Sequence, residues 1–130
     1  MPDQSFIDLK MHPFTAIPGL PFSEAVEAGK LVFLSGQIGS GADGKLVAGG
    51  IKAETRQTLA NIAAVLQRLG LSMDRVVKVT VMMADMTEWS AMNEEYVAAF
   101  GKHLPARSAF GTSGLAMHAR VEIECIALRK

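Results

Sequence analysis

Arg107 sits in LPARSAFGTSG, residues 104–114, between an apolar run and a glycine-containing turn. It falls at the start of Ala106–Phe110, which reads as a half-buried strand. A guanidinium facing an interior needs a partner or a ligand, because an unpaired buried charge is strongly destabilising. Ala109 shares its face of the strand, and Ser108 and Phe110 take the other. Fifteen residues after Arg107, Glu122 lies in ARVEIECIAL, residues 119–128, the clearest strand in the chain. One face of that strand carries Val121, Ile123, Cys125 and Ala127. The other carries Arg120, Glu122 and Glu124, with Ile126 and Leu128 beyond. Two readings stand for the acidic face: a solvated edge, or a carboxylate in a pocket near Arg107. If the two C-terminal strands pair as a hairpin, Arg107 and Glu122 approach each other.

Other chemistry-bearing residues point to less. Gly39–Gly44 matches G-x-G-x-x-G, but Lys45-Leu46-Val47 follows where a dinucleotide fingerprint needs a helix, so it reads as a flexible turn. His12, His103 and His118 lie at no metal-ligand spacing from one another or from Cys125, and no metal site is expected. Cys125 alternates with core residues and reads as a buried thiol rather than a nucleophile. No G-x-S-x-G elbow is present, and the serines lack an evident base.

The elements that must position these residues follow from periodicity. The first eighteen residues read as irregular, with one short edge strand over Phe6–Lys10. Pro21–Val26 is extended, and Lys30–Ser35 is a strand reached through a tight turn at Ala28-Gly29. Gly36–Gly50 holds six glycines and is a loop. Thr55, Leu59, Ile62, Leu66 and Leu69 form one helical stripe within Ala53–Leu69, closed by Gly70 with Leu71 packing back. In Arg75–Met83, strict alternation puts Val77, Val79, Val81 and Met83 on one face and Val76, Lys78, Thr80 and Met82 on the other. Asp85 caps a helix over Thr87–Phe100, with Glu88 three residues on and Trp89, Met92, Tyr96 and either Ala99 or Phe100 inward. The order is α+β: a mixed sheet with two helices on one face, in a single domain over residues 1–130. The sheet face without helices is only half polar, which suggests burial against another subunit.

Thirteen basic residues balance thirteen acidic ones among 130. That balance supplies no electrostatic footprint for nucleic acid and no basic patch for an anionic membrane. The single cysteine forms no internal disulfide. The N-terminal residues do not read as a signal peptide, and no apolar run is long enough to span a bilayer. A cytoplasmic location is expected.

LSGQIG (34–39), QTLANIAAVLQRLGL (57–71), VVKVTVMMADM (76–86), MNEEYVAAF (92–100), LPARSAF and ARVEIECIALRK (119–130) together resemble the RidA family, also called YjgF/YER057c/UK114. The likeness runs from about Pro21 to the end, in order. It implies a chorismate-mutase-like α+β sandwich, assembled as a homotrimer with a barrel-like core and ligand clefts between subunits. It implies hydrolytic deamination of reactive enamine or imine acids to 2-keto acids and ammonia, with no cofactor. The family's carboxylate-holding arginine falls on Arg107 and its water-positioning glutamate on Glu122. Its SGQ serine falls on Ser35 and its second-helix asparagine on Asn93. A guanidinium suits a carboxylate because it makes two parallel charge-assisted hydrogen bonds. A carboxylate beside Arg107 would be favoured in its ionised form, as a base must be. Phe22 stands where many members have tyrosine, and Ala109 where many have cysteine, which bears on substrate range. A larger aminomuconate-type enamine, a small-carboxylate-binding trimer without turnover, and a ribonuclease are the other readings. Zero net charge disfavours the last.

Overall fold

The structure, a computed structural model, describes residues 8–130. Six strands and two α-helices follow in the order β1 (Leu9–His12), β2 (Ala25–Ala28), β3 (Leu31–Gln37), α1 (Gly50–Arg68), β4 (Val76–Met83), α2 (Trp89–Phe100), β5 (Ala106–Gly111) and β6 (Val121–Leu128). The edge strand sits at Leu9–His12, later than expected, and Phe6 and Ile7 lie outside the described residues. One sheet forms in the order β1-β2-β3-β6-β4-β5. Only β4 and β5 pair in parallel, because α2 carries the chain back to the starting end of β4. All other pairs are antiparallel.

This order corrects the expected C-terminal hairpin. β5 lies at the sheet edge beside β4, and β6 is inserted between β4 and β3. The two strands therefore never touch as neighbours. A parallel crossover through a helix puts its second strand next to its first, and the last strand takes the place left in the middle.

α1 and α2 cover one face. Val79, Val81, Met83, Val121 and Ile123 from the sheet are fully buried with Leu66 and Met92 from the helices. Burying each such side chain contributes about 1.5–3 kcal/mol. The expected stripe on α1 is buried at Thr55, Leu59, Ile62 and Leu66, and Leu69 is packed against the core. Gly70, with φ of 77°, ends the helix, and the Leu71 N–H donates to the Leu66 carbonyl at 2.8 Å. Leu71 packs on the core as expected.

β4 departs from strict alternation. Val76 is buried and Val77 is exposed. Val76 pairs with Ala127 and Lys78 with Ile126, so Val77 is an extra residue opposite one step of β6. Such a bulge reverses the facing of whatever precedes it. At α2, Asp85 accepts from the Thr87 N–H at 2.9 Å, but it caps a short 3-10 turn, and the α-helix starts at Trp89. Glu88 closes no capping box and instead accepts from Arg120 at 2.9 Å.

Among the described residues, nothing covers the second sheet face. Leu9, Met11, Leu31, Phe33 and Phe110 on it are 39–64% exposed. No helix among the described residues is long and apolar enough to cross a membrane.

Candidate active site

Arg107 pairs in register with Val79, a fully buried residue, and so points to the helix-covered face at the open edge of the sheet. It is half-buried. Its Nη1 donates to Asn93 Oδ1 of α2 at 2.7 Å. Its guanidinium carbon lies 4.7 Å from the centre of the Tyr96 ring and 5.8 Å from that of Trp89. Contacts of this kind contribute about 0.5–2 kcal/mol each, more as water is excluded. Ala109 is half-buried on the same face and pairs with Val81.

The opening expectation for Arg107 is thus met in a particular way. Its interior-facing charge has an amide oxygen and two aromatic faces as neighbours, and among the described residues no carboxylate pairs with it. The Tyr96 hydroxyl is pushed up to about 12 because burial disfavours the phenolate, with Arg107 opposing.

Glu122 alternates with buried Val121 and Ile123, so it faces the uncovered side. It pairs with Met82, which pairs with Phe110, two strands away on that same side. At about 4.8 Å per strand, Glu122 lies roughly 10 Å across the sheet from β5, and on the opposite face from Arg107. One chain does not bring these two residues together. Burial pushes the Glu122 carboxyl above its ordinary value of 4.5, and the Glu124 charge adds to the shift. The expected lowering by a neighbouring Arg107 is therefore absent, and the direction is the reverse.

Glu122 instead groups with the residues of the early strands. A methyl at Gly36 would overlap its carboxylate, with Cδ only 2.9 Å away, so the glycine makes room for it. Here β3 slips register against β6 between Leu34 and Gln37, placing Ser35-Gly36 in an irregular step. The Ser35 hydroxyl donates to the Ser23 carbonyl at 2.6 Å, and the Ser35 N–H donates to the Glu24 carbonyl at 3.0 Å. Ser35 thereby holds the segment that carries Phe22. The Phe22 ring is half exposed and meets Phe14 edge-on at 5.5 Å.

The predicted residues therefore fall into two sets: Arg107, Ala109 and Asn93 at the β5 edge, and Glu122, Ser35 and Phe22 around the end of β3. Surface cavities of about 320, 320, 380 and 450 Å3 among the described residues are lined by neither Arg107 nor Glu122. Two contributors were overlooked as site residues. Trp89 and Tyr96 read as core positions of α2, yet their spacing from Asn93, four before and three after, is the signal that all three share one helix stripe. Cys125 is the buried thiol expected, pushed up to about 12 by burial.

A model of the family described as Endoribonuclease L-PSP matches residues 15–129. The chain belongs to that family, the YjgF/RutC/RidA family. Among relatives, the 2-iminobutanoate/2-iminopropanoate deaminase of Mus musculus is 40% identical over 110 residues, covering 84% of this chain and 82% of the mouse protein. The RutC family protein UK114 of Drosophila melanogaster is 43% identical over 114 residues, 87% of this chain and 83% of the fly protein. The TdcF structure from E. coli, solved with bound serine, superposes with a TM-score of 0.81 at 30% identity, covering 98% of this chain and all of that one. The chorismate-mutase-like sandwich expected for the YjgF/RutC/RidA family is the fold that these neighbours share.

Proposed function

We propose that this protein hydrolyses small 2-imino and 2-enamino acids to 2-keto acids and ammonia. The observation that carries the reading is Arg107, a half-buried guanidinium with no carboxylate partner among the described residues, poised on Asn93 at an open edge. Support comes from relatives named as iminobutanoate and iminopropanoate deaminases, and from a neighbour solved with serine, whose carboxylate is of the kind an arginine grips.

The chemistry needs no strong nucleophile. An imine carbon is already electrophilic, so placing it beside a water suffices. Arg107 holds the substrate carboxylate. Glu122, as the ionised base, takes a proton from water as the oxygen adds to the C=N carbon. That proton passes to nitrogen and gives a carbinolamine. Glu122 then carries the hydroxyl proton to the same nitrogen as the C=O bond forms and the C–N bond breaks, so ammonia leaves with the keto acid and Glu122 is ionised again. Phe22 packs on the carbon chain, and Ala109 leaves room for it. Ser35 and Asn93 hold the flanking segment and the arginine.

Because Arg107 and Glu122 lie on opposite faces of one sheet, the site is composite. The chain works as a homotrimer in which the β5 edge of one subunit meets the uncovered, partly apolar sheet face of the next. That face, uncovered among the described residues, is buried in the same way.

The test generates imino acids in situ with an L-amino-acid oxidase and traps them with semicarbazide. Wild-type protein is expected to outcompete the trap, and Arg107→Ala to lose at least about a hundredfold in kcat/KM, as loss of a buried charged contact implies. An Arg107→Ala variant as active as wild type, or no effect of wild type over several imino acids, overturns the reading.

A further inference from the structure

Trp89, Asn93 and Tyr96 occupy one stripe of α2 at i, i+4 and i+7. All three converge on a single side chain of another element, Arg107. Asn93 takes an N–H at the Nη1 end, and the two rings stand against the guanidinium. The Tyr96 hydroxyl is buried and makes no hydrogen bond among the described residues. A buried hydroxyl without a partner is destabilising, so the hydroxyl is no reason for a tyrosine here. The aromatic ring is.

A free arginine side chain must give up its rotamer freedom when it grips a ligand, and that loss weakens binding. One already laid against two rings and bonded to a helix amide has given it up on folding. We propose that Trp89 and Tyr96 are positioning residues: an aromatic cradle on α2 that presets the Arg107 guanidinium for a substrate carboxylate. The inference rests on the carboxylate-binding role given to Arg107 above. The cradle acts on binding, not on water addition, so its loss raises KM and leaves kcat nearly unchanged.

The test compares wild type, Tyr96→Phe, Tyr96→Leu and Trp89→Leu in kcat and KM for an imino acid. It also measures affinity for pyruvate, a stable keto acid. Trp89 is the only tryptophan in the chain, so its fluorescence reports pyruvate binding in wild type and both Tyr96 variants. Calorimetry serves for Trp89→Leu. Tyr96→Phe keeps the ring and is expected to match wild type. Tyr96→Leu and Trp89→Leu are expected to raise KM and the pyruvate Kd about tenfold, with kcat within about twofold. Tyr96 is a core residue, so circular dichroism establishes folding first. Trp89, 40% exposed, carries the test if Tyr96→Leu does not fold. Unchanged KM and Kd in the folded leucine variants overturn the cradle, as does a Tyr96→Phe as damaging as Tyr96→Leu. Pyruvate binding that depends on the cradle, without imine turnover, upholds the cradle and sinks the deaminase. Neither binding nor turnover by wild type sinks both.

Discussion

Glu122 owes its shifted protonation to its surroundings. Burial and Glu124 raise its pKa above 4.5, and a base must be ionised to work. The acid limb of kcat/KM is therefore expected at a higher pH than an ordinary carboxylate would give. Glu122→Gln should abolish that limb along with most of the activity, which a pH–rate profile checks. A limb centred at or below 4.5 would contradict the role. The stability sign is the opposite of the usual carboxylate case. The folded chain holds this proton more tightly than the unfolded one. Its contribution to stability therefore rises as pH falls through the folded value, and levels off below 4.5. Glu27 acts in the contrary sense. Hydrogen bonds from His12 and Arg129 lower its pKa. The stability it contributes is complete above 4.5 and is lost as pH falls through the lowered value.

Elements, rather than single residues, aim the site. α2 delivers three side chains to Arg107 because a 3.6-residue period stacks them. The irregular step in β3 delivers Ser35 and Gly36 to Glu122 because a register slip re-aims what lies at it. Gly36→Ala tests the second device. Gly36 does not require the left-handed backbone region, so alanine suits the chain there. The three atoms nearest the new methyl all belong to the Glu122 side chain, from Cγ to the carboxylate. The melting temperature should stay within a few degrees of wild type, while kcat/KM falls about ten- to a hundredfold through displacement of the carboxylate. A variant with full activity would show that Glu122 need not occupy its observed place.

At the scale of the whole molecule, the sheet separates Arg107 from Glu122, and the proposed trimer reunites them. Complementation follows. Arg107→Ala and Glu122→Gln chains, each inactive alone, should regain roughly a quarter of wild-type activity when co-assembled in equal amounts. Each boundary has a one-in-four chance of pairing an intact Arg107 with an intact Glu122 under random cyclic mixing. Sedimentation checks that the mixed species is a trimer. No recovery in mixed trimers would place both residues in one subunit's site.

The sequence by itself determined most of the elements. Alternation in β6, the stripe on α1 and the glycine closing it are local patterns, and local patterns are set by 2.0- and 3.6-residue periods. The residue type of Arg107 pointed only to a partner or a ligand, and the carboxylate and the water came from the resemblance to the RidA family. Only the tertiary structure decided which strands are neighbours, and with that which residues meet. Inserting β6 between β3 and β4 separated Arg107 from Glu122, and the bulge at Val77 exchanged the facings of Val76 and Val77. The packing of α2 on the sheet also set Trp89, which stays partly exposed, and the core residue Tyr96 against an arginine. Pairing partners and register are choices among near-equal backbone hydrogen bonds. They are settled by packing between segments far apart in the chain, which no local pattern records.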